Sequence, residues 1–398
     1  MKIKLTELKR IILPVLIFSV LVNPSFSEEE NIDSSPYGEF VAASLHDKVG
    51  IVENAQNASQ VFYEQSLSFV YENKSVIEDY PDYYVLLITT IKKLDHGGTE
   101  GIDQVLLQIY SDFDDYSVKL AVLEAFSKID VQDELVYDFI IQLLSEEINK
   151  KENVSVDVLV SCIEALGNIK NPDCTDLIFS LMKENYAPEI KNACKETLFQ
   201  LMDDFYAAAS NIIYMGTFED KKMIFELINE NPQKNLKSSA EIAEILLSDI
   251  IIKDEEGTDF PEEQVKLQYD AFICLKDAKW TKATDIVLDY FEVAREEFEK
   301  NLLSEENYCF IIEGLKEFST RKTCKILTDY LDSQYNQTLE TGEYNLNVLL
   351  SVINTLGDLG DNDAFDTILY VMSYKDYPRE LIQASNAALK KLRWDFEN

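Results

Sequence analysis

The residues that could do chemistry here are mostly carboxylates, and five of them recur in phase. Asp103, Asp138, Asp176, Asp285 and Asp366 fall 12, 12, 10, 13 and 10 residues after Ile91, Phe126, Leu166, Phe272 and Leu356, each ahead of an apolar run. Repeated on successive units, such carboxylates could line a groove as an acidic ladder, with basic peptide segments or calcium as ligands. They could equally sit in the first turns of successive helices, where negative charge complements the helix dipole for about 0.3–1 kcal/mol. The second role needs no ligand and explains the phase by itself. The units marked by Leu198 and Leu315 carry no matching aspartate.

Other catalytic patterns are sparse. Asp361-Asn362-Asp363 with Asp366 has the look of a calcium loop, but the sixth place from Asp361 is Asp366 and the twelfth is Met372. An EF-hand needs glycine and glutamate there, so turn formation and capping account better for these residues. The only histidines are His46 and His96, the latter in the turn Leu94-Asp95-His96-Gly97-Gly98. No Gly-x-Ser-x-Gly, phosphate loop, dinucleotide fingerprint or Cys-x-x-Cys occurs, which leaves no support for a nucleophilic hydrolase or for zinc. One enzymatic alternative stays open. The pairs Asp114-Asp115, Asp203-Asp204 and Glu296-Glu297 could supply an acid and a base for glycoside cleavage on a helical toroid, or hold a cation.

What positions these residues is a repeat. Thr355–Met372 aligns without a gap to Ala165–Met182 over 18 residues, sharing Leu, Gly, two Asp, Ile and Met. Repetition of this kind means stacked helical units. Each copy reads as the end of one helix, a turn and the start of the next. Gly357 lies inside the first helix, where glycine costs about 1 kcal/mol relative to alanine, so a close approach by a partner helix is expected. A small or polar residue followed by an apolar marker recurs at Ile91, Phe126, Leu166, Leu198, Phe272, Leu315, Leu356 and Leu389, at intervals of 35, 40, 32, 74, 43, 41 and 33 residues. The interval of 74 is about two units, and Asp220 to Asn231 with Ser238 to Lys253 could supply the missing one. Pro81, Pro188, Pro261 and Pro378 each precede a marker by 10 or 11 residues, as helix-starting prolines should.

These residues resemble a known family. Val118-Lys119-Leu120-Ala121-Val122-Leu123-Glu124-Ala125-Phe126 and Ile190-Lys191-Asn192-Ala193-Cys194-Lys195-Glu196-Thr197-Leu198 are similar to the first helix of bacterial HEAT repeats. Ala165-Leu166-Gly167-Asn168-Ile169 and Leu356-Gly357-Asp358-Leu359-Gly360-Asp361 are similar to its end and turn. The resemblance covers roughly residues 80 to 396 and implies an armadillo-like superhelix with a scaffold or binding role, second helices lining the concave side. It says almost nothing about the ligand.

Composition bounds the partners. Of 398 residues, 36 are Lys or Arg and 73 are Asp or Glu, for a net charge of -37. Such a surface repels phosphate backbones, which sets nucleic acid aside, and favours solvation and basic partners. Lys2, Lys4, Lys9 and Arg10 precede an apolar run from Ile11 to Val22 and then Asn23-Pro24-Ser25-Phe26-Ser27. This reads as a secretory signal cleaved after about Ser27. The run of 12 residues is short of the roughly 20 that span a bilayer. The first cysteine is Cys162, too late to carry a lipid at the cleavage point. Six cysteines in an exported chain invite disulfides, but Cys162 and Cys194 occupy equivalent places on neighbouring repeats, too far apart to bridge. Buried free thiols are expected.

The expected organisation is a signal peptide over 1–27, an acidic disordered lead-in over 28–54, an N-terminal helical cap over 55–80, and eight or nine HEAT-like repeats over 81–398. Polar insertions at Ser145 to Asp157, Lys253 to Glu263 and Ser333 to Asn345 should form rim loops. The fold class is all-α, an α-solenoid of stacked antiparallel helix pairs. The function expected is that of an exported bacterial scaffold or adaptor, periplasmic or secreted, without a cofactor. It would bind other proteins, basic ones among them, through its groove or rim loops and would not insert stably in the membrane.

Overall fold

A computed structural model describes residues 36–55, 58–99, 101–131, 133–150, 153–231, 234–253 and 261–393. The signal segment, residues 28–35 of the lead-in and most of the Lys253 to Glu263 insertion lie outside them. The described residues are helical throughout, with no strand among them; one isolated bridge joins Asp361 and Arg393. They fall into two compact units that divide after Ile169.

The first unit opens with α1 (Pro36–Ala42), α2 (Leu45–Asn54), α3 (Gln60–Glu72) and the single turn α4 (Lys74–Ile77). It continues with α5 (Asp82–Lys92), α6 (Ile102–Asp112), α7 (Tyr116–Phe126), α8 (Glu134–Ile148) and α9 (Val156–Ile169). Helices α2, α5, α7 and α9 pack side by side in one row; α1, α3, α6 and α8 form a second row behind them. Asp115 and Asp133 start α7 and α8 by accepting from backbone amides two or three residues on, which satisfies donors that a helix start leaves free.

α1 and α2 correct the expected boundary, because Pro36–Asn54 is folded and not a disordered lead-in. Two apolar anchors hold it, Phe40 and Val52, both fully buried. Lys48 is buried too, and its ammonium donates to the carbonyls of Phe40, Val41 and Ala43 at 2.5, 2.8 and 2.7 Å. It thereby closes the carbonyl end of α1, a place that favours a cation. Burial of the ammonium lowers its pKa.

The second unit contains α10 (Thr175–Lys183), α11 (Pro188–Gln200), α12 (Met202–Met215), α13 (Phe218–Glu230), α14 (Leu236–Lys253) and α15 (Pro261–Asp277). Then come α16 (Thr284–Glu299), α17 (Glu305–Gly314), α18 (Arg321–Thr341), α19 (Leu346–Leu359), α20 (Phe365–Ser373) and α21 (Arg379–Leu389). Helices α15, α17, α19 and α21 pack in one row, while α10, α12, α14 and α16 make another, as do α18 and α20. The irregular interval between Leu201 and Phe272 holds α12, α13 and α14, with Asp220 to Asn231 mostly in α13 and Ser238 to Lys253 in α14.

The marker positions lie in the core. Ile91, Phe126, Leu166, Leu198, Phe272, Leu315 and Leu356 are all completely buried. The small residues before them, Thr90, Ala125, Ala165, Thr197, Ala271 and Thr355, are buried as well, which lets neighbouring helices approach. Leu389 differs: it is half-buried, in α21, the last described helix. Pro188 and Pro261 stand at the first positions of α11 and α15, and Pro81 and Pro378 immediately precede α5 and α21. The expected insertion at Ser333 to Asn345 is another correction. Most of it is helix, and α18, at 21 residues, is the longest described.

Candidate functional site

The five phased aspartates differ in their settings. In the first unit Asp103 is buried, the second residue of α6, and its carboxylate accepts from the amide of Asp133 at 2.9 Å. It ties the start of α6 to the start of α8 and is no rung of a solvent-facing ladder. Asp138 is exposed and lies a full turn inside α8, outside the first turn where a dipole role would put it. In the second unit Asp176, Asp285 and Asp366 are each the second residue of α10, α16 and α20 and are exposed, as first-turn carboxylates should be. Asp285 is already engaged by Lys322 at 2.5 Å. Among the described residues no group of three or more His, Cys, Asp or Glu is arranged to hold a metal ion.

The remaining sequence candidates resolve into local structure. Asp361 accepts from the amide of Asp363 at 3.1 Å, and Asp363 pairs with Arg321 at 3.5 Å, so this stretch caps a turn. Asp115 caps α7 while Asp114 reaches Lys119 at 3.5 Å. Glu296 pairs with Lys300 at 3.3 Å, whereas Glu297 is buried. Adjacent helical residues point about 100° apart, so this pair does not face one bond. The Asp203-Asp204 side chains lie outside the described residues. His46 meets Asp82 at 3.3 Å, and His96 meets Asp130 at 2.9 Å. All six thiols are free; Cys162, Cys174, Cys194 and Cys324 are buried, and Cys274 and Cys309 half-buried. Burial pushes Cys162 and Cys194 up to about 12 and Cys174, Cys274 and Cys324 up to about 11, which disarms them as nucleophiles at neutral pH.

Among the described residues, one cleft that the sequence reading did not single out has a binding geometry. Where α15, α17, α19 and α21 pack side by side, α13 and α15 leave a space of about 470 Å³ between them, closed at one end by the start of α14. Phe225 and Leu267, both buried, reach it from the two walls, with Leu236 exposed at its edge and Ile273 and Cys274 half-buried along it. Around this apolar lining stand three lysines, Lys222, Lys234 and Lys266, and five carboxylates, Glu226, Glu230, Glu263, Asp270 and Asp277. Lys222 on α13 bridges to Glu263 on α15 at 2.7 Å, strapping the walls together, and Lys266 pairs with Asp270 at 2.7 Å along α15. The bond to Glu263 raises the Lys222 pKa.

Each wall has a clear local cause. Thr217 accepts from the amide of Asp220, and the Asp220 carboxylate accepts from that of Thr217, a capping box that fixes where α13 begins. Pro261 starts α15. An apolar lining of this size with a few convergent charged groups suits an inserted apolar side chain flanked by polar ones. The one signal in the sequence is the long interval without a marker between Leu198 and Phe272, the stretch that supplies α13 and the start of α14. In comparisons with known proteins, no family model and no curated protein matches this chain.

Proposed function

We propose that each unit is a stretch of HEAT-like α-solenoid and that the protein is a scaffold or adaptor that binds other proteins, the α13–α15 cleft being its principal site. The solenoid reading is supported by the helix rows and by the buried markers spaced along them. The observation that carries the binding role is the cleft: an apolar lining, ringed by lysines and carboxylates, open to a partner. The ligand that fits is a protein segment presenting one apolar side chain with charged residues of both signs on either side. Export to a periplasmic or extracellular space remains part of the proposal and rests on residues 1–27. No helix of the described residues is long and apolar enough to cross a membrane.

The test is crosslinking capture from the native exported fraction with the full chain as bait, in parallel with Leu236→Glu. Leu236 is exposed, so its substitution leaves the core intact. The proposal expects a defined protein crosslinked to cleft residues and lost with Leu236→Glu. Recovery of no partner above background after crosslinking overturns it.

A further inference from the structure

A second surface lies far along the second unit's sequence from the cleft, on the helix that replaced an expected loop. The last two turns of α18 carry Tyr335 and, one turn on, Leu339. Tyr335 meets Tyr374, at the end of α20, with ring centroids 6.3 Å apart. Tyr374 meets Tyr377 at 4.8 Å, and Tyr377 meets Tyr344 at 5.1 Å, edge to face. Four rings from the end of α18, the turn after it and the turn after α20 thus form one continuous cluster. Tyr377 is buried at its base, while Tyr344 is 40% exposed. Leu339 and Tyr370, the latter one turn before Tyr374, are 52% and 55% exposed. Exposed aromatic and apolar groups gathered like this mark an interaction surface, and tyrosine combines a broad face with a polar tip suited to a wet interface.

Charge identifies the occupant. From Ile326 to Tyr374 the chain has no lysine or arginine in 49 residues and eight carboxylates. Asp332, Glu340 and Glu343, all exposed, belong to α18 and the turn after it, with Asp376 beside Tyr377; the nearest cations along the chain are Lys375, next to Tyr374, and Arg379. Elsewhere the fold uses aromatic rings to hold its own cations, as with Lys276 over Phe310 at 4.8 Å and Lys119 over Tyr110 at 5.2 Å. Among the described residues no such pair uses a ring of this cluster. A second copy of the chain, with net charge -37, is repelled by its own kind.

We propose that this tyrosine ledge docks an extended, arginine-bearing polypeptide segment, the guanidinium groups stacking on Tyr344 and Tyr370 and pairing with Asp332, Glu340 and Glu343. The inference rests on the protein-binding reading and adds the chemistry of a partner at a second surface. Arginine is favoured over lysine because its planar, weakly hydrated cation stacks on a ring while its fork bonds a carboxylate.

The test measures binding of fluorescent deca-arginine and deca-lysine peptides to the full chain at physiological salt, for the natural sequence, for Leu236→Glu, and for a triple variant Leu339→Ser, Tyr344→Ser, Tyr370→Ser. The three ledge positions are exposed, and circular dichroism checks that the variant is folded. Deca-arginine is expected to bind about five- to tenfold tighter than deca-lysine, a preference the triple variant abolishes and Leu236→Glu leaves unchanged. Equal affinity for the two peptides, an unaffected triple variant, or no saturable binding overturns the ledge. So does saturable binding of a neutral hexasaccharide that competes with deca-arginine. The cleft proposal is read with other probes, so either can fail alone.

Discussion

Gly357 on α19 lies so close to Ala388 on α21 that a β-carbon added to it would sit 2.8 Å from the Ala388 α-carbon and 2.9 Å from its β-carbon. This is the close approach that a glycine inside a helix suggests, and neither neighbouring atom belongs to a flexible side chain. Gly357→Ala is therefore expected to destabilise the protein, overpacking of about 1–3 kcal/mol outweighing a helix-propensity gain of about 1 kcal/mol. Gly50, within α2, has nothing within 4 Å of its added β-carbon, so Gly50→Ala should stabilise by about 0.5–1 kcal/mol. Urea denaturation of both variants checks the opposite signs; a more stable Gly357→Ala would refute the close packing.

Asp103 and Asp138 look alike in sequence and should behave differently. Removing the buried Asp103 carboxylate strands the Asp133 amide, so Asp103→Ala is expected to cost about 1–3 kcal/mol. Asp138→Ala, on the surface, should stay within about 0.5 kcal/mol of the natural protein. Equal small effects from both, with calcium-dependent melting of the natural chain, would restore the ladder.

Asp130 makes an acid-side prediction. The amide of Gly97 and then the ring of His96 bond its carboxylate and hold its pKa below the usual aspartate value. A carboxyl group whose folded pKa is depressed contributes stability above its unfolded pKa of about 3.9 and loses it as pH falls through the folded value. The difference in urea midpoint between the natural protein and Asp130→Ala should thus be present at pH 7 and shrink below about pH 4. A difference that grows on acidification would contradict the assignment.

The thiols should react in order of exposure. Cys162 and Cys194, buried and pushed up to about 12, are expected to resist iodoacetamide at pH 7.5 in the folded chain, while half-buried Cys309 labels first. Mass spectrometry after timed labelling reads this, with complete labelling in denaturant as the reference. Fast labelling of Cys162 would mean that α9 is not packed as described.

Much of the fold was legible because burial repeats. The markers from Ile91 to Leu356 and the prolines at or just before the starts of α5, α11, α15 and α21 encode helix phase locally, so no knowledge of neighbours was needed. Roles set by distant backbone were hidden: nothing near Asp103 in sequence shows that the Asp133 amide will meet it. Pro36–Asn54 read as a lead-in because its anchoring rests on two apolar residues and on Lys48, a type counted as surface. Ser333 to Asn345 read as a loop from its polarity, although Gln334, Gln337 and Glu340 are straight-chain helix formers. The cleft showed only as a lapse in the pattern, and the ledge needed three separate segments brought together.

The stacking of helix pairs is tested most directly by hydrogen exchange on the full chain carrying Leu356→Ala. Leu356 is buried in α19, which packs on α17, α18 and α21. If stability is a sum of units and nearest-neighbour contacts, amide protection should fall in α17 to α21 and hold in α10 to α12 of the same unit. A uniform loss of protection from α10 through α21 would show one indivisible core and contradict the account.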